Sequence, residues 1–162
     1  MSGVQVRITD KNVGQFLRAM IGKAKNPAAI WDAVGNDLAE LSRLNFVDGS
    51  DPYGTAWAHP IFRDGQPLRD TGRLMNSMTH RATAGGVAIG TNVEYAGTHQ
   101  QGATVKAKNK PLLKFKTPAG WISKKAVTIP ARPFLPTPEG GLPESWRITI
   151  IRTVSDQLEE GL

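Results

Sequence analysis

The 162-residue chain contains no cysteine. A disulfide framework and a thiolate metal site are therefore excluded, and packing, within the chain or against neighbouring subunits, must hold the fold. Long apolar runs are missing as well. No stretch approaches the roughly 20 apolar residues that span a bilayer, and the opening MSGVQVRITDKN lacks the apolar segment of an export signal. The expectation is no membrane contact and a cytoplasmic default. Clustered catalytic groups are scarce: His59, His80 and His99 are far apart, and neither H-E-x-x-H, G-x-S-x-G nor paired carboxylates occur. Asp48, Asp51 and Asp64 lack the alternation and distal glutamate of a calcium loop, so they read as turn formers. No catalytic, cofactor or metal residue is expected. Finally, no acid lies between Glu94 and Glu139, although the chain as a whole carries only a modest excess, net +6.

What is present suits one domain, residues 1–162, with an ordinary core: 40% of the residues are hydrophobic and 21% charged. Val4, Val6 and Ile8 alternate with polar residues as a half-buried strand does, ending at Thr9 and Asp10, which can cap the next helix. Val13, Phe16, Leu17, Met20 and Ile21 fall at helical spacing from Lys11 to about Lys23. Pro27 opens a longer helix, along which Ile30, Val34, Leu38, Leu41 and Phe46 make an apolar stripe. From Val47 to Gln66 the chain turns to Gly, Pro, Asp and aromatics, with Tyr53, Trp57 and Phe62 expected to pin this loop to the body. Leu68 to Met78 predicts a short helix capped by Asp70 or Thr71. Met78, His80 and Ala82 then alternate towards Ala84-Gly85-Gly86, the turn of a hairpin whose second strand starts at Val87. At the far end, Trp146, Ile150, Ile151, Val154 and Leu158 predict a helix from Pro143 to about Glu159, packing on the sheet.

The densest segment is VAIGTNVEYAGTHQQGA, Val87 to Ala103: a strand, a turn at Asn92, a helical turn placing Tyr95, His99 and Gln100 together, and a stop at Gly102. His99 is expected to be a hydrogen-bonded structural histidine.

Beyond it, Lys106, Lys108, Lys110, Lys114, Lys116, Lys124 and Lys125 crowd into Thr104 to Ile129. They alternate with Val105, Leu113 and Phe115, which predicts an extended hairpin turning at Pro118-Ala119-Gly120, basic on one face and apolar on the other. Such a face is either a solvated surface that protects strand edges or a polyanion-binding one, with Phe115 and Trp121 as stacking groups. In IPARPFL, Ile129 to Leu135, Pro130 and Pro133 forbid a central strand or helix interior. Arg132 between them is read as a clamp on a carboxylate or a neighbouring subunit, or as an internal ion pair. The periods segregate, helical at both ends and extended in the middle. An α+β domain follows, with a mainly antiparallel sheet covered by amino- and carboxy-terminal helices.

Four blocks stand in order: F-x5-P-Y-G-x2-W from Phe46, L-x-D-T-G-x-L from Leu68, I-G-T-x3-Y-A-x2-H-Q-x-G from Ile89, and I-P-A-R-P-F-L from Ile129. Together they resemble the virion morphogenesis, or tail completion, family of Mu-like tailed phages and prophages. The resemblance implies a non-enzymatic component of the head-tail neck or tail end. It would assemble as a ring, six subunits by expectation, with tail tube or terminator and head connector proteins as partners and genomic double-stranded DNA passing through. Trp57, Asp70, Gly72, Tyr95, His99, Gln100 and Gly102 are its structural positions, and Arg132, Pro133 and Phe134 a candidate interface. The seven lysines are the candidate channel lining. A tail terminator capping the tube, or a sequence-independent DNA-binding protein, is the alternative.

Overall fold

A computed structural model describes residues 4–6 and 11–160, with side chains from residue 14 onwards. The elements run β1 (Val4–Val6), α1 (Lys11–Ile21), α2 (Pro27–Asp48), α3 (Arg73–Asn76), β2 (Thr79–Thr83), β3 (Gly86–Thr91), α4 (Ala96–Gln101), β4 (Ala103–Lys106), β5 (Leu113–Thr117), β6 (Gly120–Lys124), β7 (Ala126–Ile129) and α5 (Glu144–Glu160). Helices at the ends and antiparallel strands between them make the α+β arrangement that the periodicity predicts. Ile8, Thr9 and Asp10 lie outside the described residues.

Helix α2 is the axis of the molecule. Pro27 sits in its first turn, where a missing N–H costs nothing, and Asn26 accepts from the Ala29 N–H at 3.3 Å. Ile30, Val34, Leu38 and Phe46 are buried along one side. Gly35, also buried, lets the sheet approach: a Cβ there would stand 2.3 Å from His80 Cδ2 and 2.8 Å from Val87 Cγ2. His80 in turn reaches Asp32 on α2 at 2.8 Å, and Arg43 donates to the Met78 carbonyl at 2.7 Å.

The sheet against α2 has three strands in the order β1-β3-β2, all antiparallel, with Thr83 opposite Gly86 across the tight turn at Ala84-Gly85. Here the structure departs from the expectation of one continuous sheet. Strand β3 is already paired on both edges, so the later strands find no open edge beside it. They form a separate ribbon instead, β4 with β7 and β5 with β6. Helix α5 also differs from its expected seat. Because α2 occupies the sheet face, α5 lies on α2 and α1, burying Trp146, Ile150, Thr153 and Val154, with Thr153 Oγ1 donating to Asp37 Oδ2 at 2.5 Å. Phe16, expected in the apolar stripe of α1, is 52% exposed while Leu17 and Ile21 are buried. An 11-residue helix packed chiefly on α5 buries only a narrow stripe.

Of Asp70 and Thr71, the two caps expected for α3, neither takes the N-cap position itself. Gly72 takes the position before the first helical residue at φ 74°, and Thr71 Oγ1 accepts from the Arg73 N–H at 3.3 Å. Of the aspartates read as turn formers, Asp51 accepts from the Tyr53 and Thr55 N–H groups at 2.9 and 2.8 Å. Among the described residues no helix is long and apolar enough to cross a membrane.

Candidate assembly surface

Two structures carry the residues singled out above: a proline-bounded knot at Ile129–Leu135, and the ribbon that precedes it. The prolines explain the knot. With two backbone donors removed and no strand partner beyond Ile129, its remaining polar groups must be met from elsewhere in the chain: the Arg132 N–H donates to the His99 carbonyl at 2.7 Å, and side chains meet those of Pro133 to Leu135. Gln100, buried on α4, does most of this: its Oε1 accepts from the Phe134 and Leu135 N–H groups, both at 3.1 Å, while its Nε2 donates to the Leu135 carbonyl at 2.8 Å. The Phe134 carbonyl accepts from Ser42 Oγ at 2.8 Å and from Asn45 Nδ2 at 3.2 Å. Trp57 Nε1 donates to the Pro133 carbonyl at 3.0 Å. Phe134 stacks on Phe46 with ring centroids 5.3 Å apart, and Phe46 meets Trp57 edge-on at 5.6 Å. A strand end, two helices and the aromatic loop are thus tied at one point.

Arg132 and Phe134, candidates for a subunit contact, are consumed by this knot. Phe134 is 0% exposed and Arg132 6%. Arg132 meets no carboxylate; its Nε and one terminal nitrogen donate to the carbonyls of Ala58 and His59 at 2.8 and 3.2 Å, fastening the aromatic loop. Burial and the nearby Arg63 guanidinium lower its pKa from the ordinary arginine value. Both side chains therefore act inside the chain, because their hydrogen-bonding and apolar surfaces already face it.

Gly102 closes α4 at φ 73°, and a Cβ there would lie 2.8 Å from the Ala131 nitrogen. Only glycine lets the ribbon leave α4 this close to the knot. Tyr95 and His99 share a face as spaced, rings 5.9 Å apart and edge-on, while Gln100 turns the other way into the knot. His99 does not make the expected side-chain hydrogen bond: its Nδ1 is buried without a partner in the structure. Burial first, then the charges of Arg132 and Arg63, hold its pKa below the ordinary histidine value, so the ring is neutral at pH 7.

The ribbon projects from this base. Its strands pack chiefly on each other, with the Thr117 hydroxyl closing the Pro118-Ala119 turn through the Gly120 carbonyl at 2.9 Å. Phe62, from the aromatic loop, holds it: the Phe62 and Phe115 rings are 4.7 Å apart, and Lys124 Nζ lies 5.5 Å from the Phe62 centroid. Between loop and ribbon runs a cleft of about 840 Å³ walled by Phe62, Leu74, Leu113 and Val127, with Arg63, Arg73, Lys114 and Arg132 at its polar points and Asp70 as the acid among its lining residues. Lys106, Lys108, Lys110, Lys114, Lys116, Lys124 and Lys125 are all exposed. Opposed residues of an antiparallel pair share a face, so Lys114, Lys116, Trp121 and Ser123 stand on one side of β5–β6, and Leu113, Phe115, Ile122 and Lys124 on the other. Lys124, on the apolar side, and Trp121, on the basic side, depart from the predicted division into a basic and an apolar face. The sequence marks Phe62, the residue that orients the ribbon, only as a loop anchor; its partner, an aromatic in an alternating strand 53 residues away, has no local signature.

A basic ribbon on a small α+β body, without a metal cluster among the described residues, fits a component that binds by surface. The chain belongs to the phage virion morphogenesis family, whose model matches residues 8–159. Among curated proteins it is similar to the Mu-like prophage FluMu G protein 2 of Haemophilus influenzae, 36% identical over 133 residues that cover 82% of this chain and 83% of that one. No solved structure matches it. Its role is accordingly structural, in phage virion morphogenesis.

Proposed function

We propose that the chain is a non-enzymatic component of the head-tail neck or tail end that closes into a ring, six subunits, around the DNA channel, and joins tail tube or terminator proteins to the head connector. The observation that carries this reading is the ribbon: seven exposed lysines and no acid between Glu94 and Glu139, on an arm whose strands pair with each other and not with the sheet of the body. Repeated around a ring, such an arm produces a basic collar. Duplex DNA carries one charge per roughly 1.7 Å of axis, so a collar holds it through phosphates without reading bases. Mobile lysine ammonium groups suit a sliding contact better than bidentate arginine forks do.

Two measurements test this. The mass of the purified chain, with and without the tail tube and connector proteins, is expected to show a closed oligomer; a monomer under every one of these conditions refutes the ring. Replacing Lys106, Lys108, Lys110 and Lys125 with Gln is expected to leave docking intact but release genomes from assembled particles. Lost docking with full DNA retention would turn those lysines towards a protein partner instead. A sequence-independent DNA-binding protein would bind duplex as a monomer, with an affinity that salt weakens steeply.

A further inference from the structure

The ribbon ends in a group that the collar does not use. Trp121 is 74% exposed, and Lys116 stands directly opposite it on the same face, with Lys114 beside them. An isolated two-stranded ribbon is marginal in water, and an indole at its tip gains nothing from solvent. Duplex DNA offers no stacked face to an indole unless its base steps are opened, so the phosphate contact assigned to the other lysines does not account for Trp121.

The same chain presents a matching surface. On α2, Glu40, Leu44 and Val47 follow one another at helical spacing along the outer face, with Asp48 beside them, and Leu44 and Val47 are 44% and 49% exposed. Glu40 and Asp48 are the exposed carboxylates on this face, and its base, Arg43, is already engaged by Glu40 and the Met78 carbonyl; Asp32 and Asp37 are turned to His80 and Thr153, and Asp51 holds the turn that follows α2. The arm from Thr104 to Ile129 holds seven lysines and no acid. Opposite charge flanks exposed apolar side chains on both surfaces.

We infer that the tip of the ribbon docks on α2 of a second copy of this chain, Trp121 seating on Leu44 and Val47 while Lys114 and Lys116 meet Glu40 and Asp48. The two patches are different surfaces, so the contact is head-to-tail, the kind whose rotation closes into a ring. A buried aromatic anchor with charges at its rim is the usual composition of a contact that carries binding energy. This inference rests on the ring reading above and gives that ring its joint. Lys106, Lys108, Lys110 and Lys125 stay free for the channel.

The absence of native cysteine makes the test direct. Ser123→Cys, on the same face of the ribbon as Trp121 and leaving the indole in place, and Val47→Cys are made as separate single variants, each checked for a native circular dichroism spectrum, then mixed under mild oxidation. Disulfide-linked dimers are expected from the mixture and not from either variant alone, and the double variant should yield a ladder of linked oligomers. Trp121→Ala should weaken self-association about thirtyfold, as loss of an aromatic anchor does. Lys116→Glu should weaken it too, with recovery on adding Asp48→Lys. An oligomer by mass that gives no mixed dimer overturns the docking and leaves the ring standing. A chain that is monomeric both alone and with its tail partners overturns the ring and this contact together. Linked dimers from Ser123→Cys alone would show a symmetric contact and overturn the head-to-tail joint. If Trp121→Ala loses DNA retention while the oligomer persists unweakened, the indole belongs to the channel and the inference fails.

Discussion

Removing the Gln100 side chain is the sharpest perturbation of the knot. Gln100→Ala deletes one acceptor serving two N–H groups and one donor serving a carbonyl, in a region enclosed by Phe134 and Leu135, which are 0% and 1% exposed. Each orphaned group costs about 1–3 kcal/mol, less where water enters the space the side chain leaves. With two N–H groups and one carbonyl affected, and partial rescue by water, the loss should be about 3–5 kcal/mol. For a domain of this length, about 2–4 °C of Tm accompanies each kcal/mol, so the midpoint should fall by roughly 10 °C. Urea unfolding at one fixed protein concentration measures the loss, since self-association would otherwise shift the midpoint. Gln101→Ala, one residue along on an exposed position, is the control and should stay within about 0.5 kcal/mol of the parent chain. Amide exchange at Phe134 and Leu135 should quicken in Gln100→Ala alone. A Gln100→Ala loss under about 0.5 kcal/mol would mean the knot satisfies its backbone without this side chain, and the account of why the prolines need it would be wrong.

Three further outcomes follow from the same geometry. Gly35→Ala should cost about 1–3 kcal/mol as overpacking between α2 and the sheet, because the added methyl meets His80 and Val87; a neutral effect in thermal unfolding would show that α2 can shift freely. His99 has a folded pKa below its ordinary value of 6.5, so the unfolded chain binds the extra proton first: stability is full above pH 6.5 and lost as pH falls from there through the folded value. His99→Gln should flatten that part of the stability profile, and an unchanged slope would remove His99 as its source. Phe62→Ala should free the ribbon from the body, read as protease cleavage within residues 107–125 while the core still unfolds cooperatively; equal protection would show that the ribbon is held by something other than the Phe62–Phe115 contact.

The local periods in the chain determined most of the elements. The Pro27 start and apolar stripe of α2, the Gly85 turn of the first hairpin, the Pro118-Ala119 turn of the ribbon and the exclusion of IPARPFL from regular structure all depend on short-range sterics and on which side chains recur at 3.6 or 2 residues. The family was legible too, since four spaced blocks lie within one chain. What only the tertiary structure decided is where each face is spent. Alternation marks an apolar face but not which neighbour covers it, so α5 looked like a cover for the sheet until α2 was seen to occupy that place. Charge marks an arginine but not its partner: between two prolines Arg132 looked suited to another subunit, and it closes on the Ala58 and His59 carbonyls instead. Gln100 and IPARPFL, about 30 residues apart, each have polar groups the other satisfies, and hydrogen bonds of that reach have no period in sequence.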